Sequence, residues 1–340
     1  MALSKIRNDS LEDTAVHGVR NLIINGAMQV AQRGTSTTGG GFLVDRFELN
    51  INNTDNIAIT QSQDSSGPSG FANSWKILAT TAESAVAANE RVRFRQNIEG
   101  QNLQQFAFGT SAAKSMTLSF YVKSNKTGTY AVNLEQDDAS RVIGSTYTIN
   151  SADTWEFKTV TVGGDTSGTI NDDNGAGLIV SWYLLAGSNY TATDNTSYSA
   201  SADGKQAYGH STTWGQATND NFFITGIQLE VGEQATPFEH RSYGDELARC
   251  QRYYSIPIPT GNLFCEPIDL SNNYRRASIA FPVLMRTSPT ITVTGVNSVG
   301  FLTNRPQVDG SSNAQYVEIN ADGTGNGFSY LTNLTADAEL

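Results

Sequence analysis

Apolar residues recur at every second position through the middle of the first half of this chain. In SMTLSFYVKS, Met116, Leu118, Phe120 and Val122 alternate with Thr117, Ser119, Tyr121 and Lys123. After a turn at Asn125 to Gly128, TYAVNLEQ resumes the pattern with Tyr130, Val132 and Leu134. A period of two is that of a β-strand with one face in a core. VRFRQNIEG repeats it, with Val92, Phe94 and Gln96 on one face and Arg91, Arg93 and Arg95 on the other. NLIINGAMQVAQRGTS and FLVDRFELNIN read as further strands about a glycine-rich turn at Gly39 to Gly41. TWEFKTVTV slips its alternation between Phe157 and Val160, which a bulge would explain. GLIVSWYLLAG is nearly continuous in apolar residues, as a central strand buried on both faces would be. Short strands separated by turns, with no helices between them, specify an all-β fold: a β-sandwich or jelly roll. Trp75, Trp155 and Trp182 fall in these patterns and are expected in the core.

Composition agrees. Only 16% of the 340 residues are charged, against about 25% in ordinary domains, and there are 31 glycines. That suits many turns and few long helices. A net charge of −11 opposes nucleic acid and anionic membranes as partners through bulk electrostatics. No apolar run approaches the roughly 18 residues of a membrane span, and the first residues lack a hydrophobic signal core. Synthesis in a cytoplasm is the expectation, with no membrane insertion. Two cysteines, Cys250 and Cys265, are too few for a disulfide framework.

Residues 219–254 divide the chain. Phe223, Thr225, Ile227, Leu229 and Val231 are expected to share one strand face, with Gln228 and Glu230 opposite. A turn at Gly232 to Pro237 follows, and then a short helix with Ser242 as N-cap and Asp245 and Glu246 in its first turn. The division is therefore 1–20, a tail that gains order only on a partner; 21–240, a sandwich; 241–256, a connector helix; and 257–340, a small β domain. The last has little core of its own, so an oligomer would suit it.

The phrases NLIINGAMQVAQRGTS with VDRFEL, RQNIEGQNLQQF, TLSFYVKSNKTGTYAV, TWEFKTVTV, FFITGIQLEVGEQATPFEHRSYGDELARCQRYY and FPVLMRTSPTITV cover most of residues 20 to 295 in order. Taken together, the chain resembles bacteriophage tail-fibre and receptor-binding structural proteins. The resemblance implies a jelly roll similar in fold to carbohydrate-binding modules, then a small β domain, in a homotrimeric virion component. It also implies that residues 1–20, with SLEDTAV, attach the fibre to other virion proteins. The location implied is the virion tail.

Candidate sites follow from chemistry. Gly187 to Asn219 is a long polar stretch, and such loops are often functional. Its Tyr190, Tyr198, Tyr208 and Trp214 offer flat faces for a pyranose, with Asn189, Asp194 and Asn195 for its hydroxyls. The alternative is that these aromatics fold back as the loop's own small core or bury against a neighbouring subunit. The arginine face of Arg91, Arg93 and Arg95 would pair with another subunit or be solvated. Jelly rolls of this kind often carry a structural calcium between first and last strands. Asp220, beside Asn219 and Asn221, with oxygens near Asn25, would suit one; a plain turn is the competing account. NDDNG at 171–175 lacks the acidic twelfth residue of a calcium loop and reads as a polar hairpin turn. His17, His210 and His240 belong to no nucleophile–base motif, with His240 in a structural, capping role, and no other catalytic pattern stands out. The expectation is a non-enzymatic protein: a homotrimeric fibre or spike adhering to host-surface carbohydrate, or else a purely architectural shaft, adaptor or head decoration.

Overall fold

Two compact units divide the chain, Met1–Arg241 and Ser242–Leu340. A computed structural model describes residues 20–257, 263–269, 274–299, 305–307, 315–322 and 328–340. The tail at 1–20 lies outside these, Arg20 excepted.

The first unit contains β1 (Ser36–Thr38), β2 (Gly41–Phe42), β3 (Glu48–Asn52), β4 (Ala58–Asp64), β5 (Ser74–Thr81), β6 (Arg91–Glu99), β7 (Met116–Ser124), β8 (Gly128–Gln136), β9 (Arg141–Ile149), β10 (Glu156–Val162), β11 (Ala176–Ala186), the single turn α1 (Ser188–Thr191), β12 (Ser199–Ala200) and β13 (Asn221–Val231). They form a jelly-roll β-sandwich. One sheet runs β1-β4-β5-β13-β7-β10 and the other β12-β9-β8-β11-β6-β3-β2, all pairs antiparallel. Inner faces of both sheets supply one apolar core, as alternation requires. Phe94 and Trp182 stack at 5.1 Å in its centre, Trp75 meets Phe94 edge-on, and Phe120 meets Trp182 edge-on. As expected, β11 is buried along almost its whole length between β8 and β6.

The first and last segments close the sandwich. Leu22 N–H donates to the Leu229 carbonyl and Ile227 N–H to that of Gly26. The Asn21 side chain donates to the Ile227 carbonyl and accepts from Leu229 N–H. Gln96 points inward because its amide is fully used, donating to Ile24 O and accepting from Ile24 N–H, both at 2.8 Å.

Three details depart from the sequence-based pattern. In β13 the inward residues are Phe222, Ile224, Ile227 and Leu229, not Phe223 and Thr225. The register on β7 shifts between Thr225 and Gln228, where Gly226 adopts φ +63°. Such a bulge inserts one residue and flips the face of all that precede it. Phe223 thereby joins the outer face, where Lys123 lies 4.2 Å from its ring centre. Second, β10 pairs β7 without a shift from Glu156 to Val162. The expected bulge is absent; Phe157 is simply an outward aromatic, 49% exposed. Third, Trp155 is half-buried on the outer face beside Phe223, rather than in the core. The NDDNG segment joins β10 to β11, strands of different sheets, so it is no hairpin; Gly175 N–H donates to the Asp173 carboxylate at 2.8 Å.

The second unit opens with the helix α2 (Tyr243–Gln251), where the Ser242 hydroxyl accepts from Asp245 N–H. Cys250 is fully buried on it; the Cys265 side chain lies outside the described residues. The seven-stranded sheet that follows comprises β14 (Tyr254–Ser255), β15 (Leu263–Asp269), β16 (Tyr274–Ala280), β17 (Thr290–Val299), β18 (Arg305–Gln307), β19 (Tyr316–Asp322) and β20 (Phe328–Asp337). Its order is β14-β20-β15-β16-β19-β18, with β17 also paired to β20.

Candidate functional site

The long segment after β11 is not structureless. It folds back over the outer face of the β12-to-β2 sheet and supplies that sheet's edge. Ser199 and Ala200 pair with Val142 and Arg141 as β12. Gly144 N–H donates to the Asn195 carbonyl at 2.7 Å, and a Cβ at Gly144 would fall 2.1 Å from the Asn195 amide nitrogen, so only glycine lets that side chain settle there. Tyr190, Tyr183, Ala131 and Ala207 make a small apolar cluster on this face, separate from the main core.

The four aromatics of the segment therefore have different fates. Trp214 is fully buried in the main core and presents no face to solvent. Tyr190 is buried beneath the segment, its hydroxyl donating to the Asn89 carbonyl at 3.1 Å, with the Arg91 guanidinium 4.8 Å from its ring centre. Tyr198 packs half-buried against Phe108, and burial pushes its hydroxyl pKa upward. Tyr208 alone is exposed. The fold does not bring the four together as a stacking platform. Three of them hold the segment down, Tyr190 through the small cluster and Trp214 and Tyr198 through the main core, so the alternative of a loop with its own small core holds for Tyr190 alone.

His210 is part of the same anchorage. Its Nδ1 accepts from Ala131 N–H at 3.3 Å, and burial lowers its pKa from 6.5 to about 4. A histidine with a depressed folded pKa gives stability that is full above the unfolded value and fades as pH falls between about 6.5 and 4. The shift corresponds to roughly 3 kcal/mol at most. Accordingly, amide exchange in residues 187–213, once corrected for the intrinsic slowing of exchange at lower pH, is expected to accelerate selectively at pH 5 relative to pH 7, and His210→Phe should flatten that dependence. Uniform acceleration across the sandwich would contradict the assignment.

The metal expectation is not met by the residues that carried it. Asp220 is buried, and its carboxylate accepts from Gly215 N–H at 3.0 Å and Ala217 N–H at 3.1 Å while Lys126 Nζ stands 3.2 Å away. Asn25 uses its amide on Val30 and on the Asp45 carbonyl. Gly26, its neighbour, lies against Ile227, seven residues along the strand from Asp220. At about 3.3 Å per residue that is roughly 20 Å. The two side chains do not form one site, and among the described residues no group of three or more metal-ligating side chains gathers elsewhere. His240 stacks with Phe71 and Phe238, a structural setting.

The face that the sequence offers as solvated or intersubunit is the candidate site. On the outer face of β6, Arg93 stands between Asn50 of β3 and Tyr183 of β11, and Arg95 between Glu48 and Ser181. Beyond Ser181 the row continues to Asn133 of β8. The β3 side of this face is half-open to solvent, whereas the β8–β11 side is covered. Arg95 is neutralised by Glu48 at 2.6 Å. Arg91 is held by neutral groups, Gln206 and Asn52, and burial together with the charge of Arg93 lowers its pKa. Arg93 is 9% exposed, its one hydrogen bond among the described residues running to the Tyr183 hydroxyl at 3.3 Å. Both amide atoms of Asn133 and the Asn50 Oδ1 are buried without a partner. Buried polar groups are nearly always satisfied, so these are groups that water or a ligand would complete. The sequence signal that could have found it was three arginines alternating on one strand in an acidic chain.

No protein family and no curated protein matches the sequence. Solved structures do share its outline. One is the enzymatically active domain of tailspike protein 4 of bacteriophage CBA120, at TM-score 0.34 and 13% identity over 64% of this chain and 22% of that one. Another is a CBM4 structure, at 0.30 and 11% over 61% and 98%. A third is TmCBM61 in complex with β-1,4-galactotriose, at 0.30 and 11% over 63% and 99%. At such scores the likeness carries no argument about ligand or role; the site must be read from its own residues.

Proposed function

We propose that this chain is a non-enzymatic bacteriophage virion protein, a homotrimeric tail fibre or spike, that adheres to host-surface glycans through the half-open outer face of β3 and β6. The observation that carries the adhesive part is the unpartnered Asn50 Oδ1 beside the unpaired Arg93 at the open side of that face. Amide oxygens and N–H groups are the natural partners of sugar hydroxyls, and a site that must bind them cannot satisfy them internally. The virion assignment is supported by the ordered resemblance of residues 20–295 to phage fibre proteins. Residues 1–20 would join the chain to the particle, and three copies would turn weak contacts into firm attachment.

A different observation favours the architectural alternative. The outer face of the other sheet carries a chain of surface rings, Phe157, Tyr121, Phe71 and Phe238, with successive centroids 4.9 to 5.5 Å apart. Gly226 lies beneath them: a Cβ there would fall 2.8 Å from Phe71 and 3.0 Å from Tyr121. Such a strip would also serve a subunit contact.

A glycan array probed with the full chain, after light scattering has established its assembly, separates the two. Asn50→Ala and Asn50→Leu, made singly, are expected to weaken binding at least tenfold. Neither removes a hydrogen bond to the protein, so each should leave the melting temperature equal or higher. Binding untouched by both substitutions, or no glycan bound by the wild-type oligomer, would overturn the adhesive reading.

A further inference from the structure

We propose that the glycan is acidic, and that Arg93, backed by Arg91, receives its carboxylate. This rests on the adhesive reading of the same face and names its ligand class.

Arginine is seldom fully buried unless paired, because desolvating its charge is costly. Three other buried or half-buried guanidiniums of the sandwich illustrate the rule. Arg95 has Glu48 at 2.6 Å, Arg141 has Asp165, and Arg241 has Glu239 at 3.6 Å. Arg91 and Arg93 break it. Each is 9% exposed, and among the described residues neither has a carboxylate within ion-pairing distance. They are two positions apart on one strand, hence about 7 Å apart on the same face, and they repel. Asp203 acts on Arg91 only at a distance. The chain carries 33 acidic residues against 22 lysines and arginines, so an unpaired cationic pair is not forced by composition.

The groups around the pair complete a saccharide site rather than a bare anion site. Arg93 Nε is buried without a partner, as is that of Arg91, and a guanidinium presents parallel N–H groups that match a carboxylate. On the half-open β3 side of Arg93, the Asn50 amide is placed for a hydroxyl. A negatively charged sugar ring bearing hydroxyls uses all of these; a neutral one leaves the two charges as they are.

Matched probes test it: oligogalacturonate against its methyl ester, sialyllactose against lactose, and inorganic phosphate alone. Each is titrated calorimetrically into the full chain at low and high salt. At least one carboxylated probe is expected to bind tenfold or more tighter than its neutral counterpart, with affinity falling as salt rises. Arg93→Gln should erase the difference while the melting temperature holds or rises, and Arg93→Lys should restore part of it. Equal affinity for acid and neutral members, or a preference that survives Arg93→Gln, overturns the inference and leaves the adhesive reading intact. So does tight binding of inorganic phosphate alone, which would make the site one for a simple anion. An array with no glycan bound overturns both.

Discussion

Trp214→Ala is expected to destabilise the first unit by about 3 to 5 kcal/mol, the range for removing a large aromatic from a packed core. Trp214 was chosen from the sequence as a sugar-stacking residue, and the structure gives it the opposite task. It is fully buried among the main core residues, at the point where the long segment returns to β13. Its neighbour Gly215, at φ +84°, turns the chain against Ile57 and Leu185. Losing the indole removes transfer energy and leaves a cavity that rigid strands cannot fill. Chemical denaturation reads the effect: the midpoint should fall with the m-value unchanged. Trp214→Phe should lose less than half as much, because the indole N–H has no partner to forfeit. Glycan binding by Trp214→Phe should match the wild type. A Trp214→Ala protein as stable as the wild type but unable to bind glycan would return this residue to the binding surface.

That reversal shows what sequence can and cannot carry. Period-two alternation placed Met116 to Val122, Tyr130 to Leu134 and Val92 to Gln96 correctly, because a strand's faces are fixed by its own pleat. The same rule failed in β13, where one glycine at positive φ inverted Phe223 and Thr225. Gly226 is visible in the sequence, yet its conformation depends on Phe71 and Tyr121, distant residues whose rings lie over it. In Gly187 to Asn219 there is no period at all, so composition alone had to decide. Aromatics and amides in a polar stretch look alike whether they face solvent or fold inward. Only tertiary contacts, such as Asn195 over Gly144 and Tyr190 against Tyr183, separate the two. The site itself was half legible. The arginine alternation on β6 is legible, but Glu48 opposite Arg95 and the absence, among the described residues, of a carboxylate for Arg93 are facts of cross-strand pairing.

The same reasoning turns Asp220 from a candidate cation ligand into a structural anchor with a large expected effect. Its buried carboxylate takes two backbone N–H groups, from Gly215 and Ala217, and faces the partly exposed Lys126 at 3.2 Å. Hydrogen bonds to an ionised group are each worth roughly 1.5 to 3 kcal/mol, and a buried partner left alone adds its own desolvation cost. Asp220→Ala strands the two N–H groups and removes the partner of a lysine that water still reaches, so a loss of about 2 to 4 kcal/mol is expected. Asp220→Asn retains an acceptor oxygen for the N–H groups and should lose about half of that. If the residue instead served calcium, both substitutions would act by abolishing metal binding, and chelation of the wild type would reproduce them. The anchor role predicts that excess chelator leaves the wild-type melting temperature unchanged while both variants fall in the order Asn above Ala. It further predicts that the loss is concentrated in residues 211–221, where amide exchange should rise first, because those N–H groups are the ones the carboxylate holds.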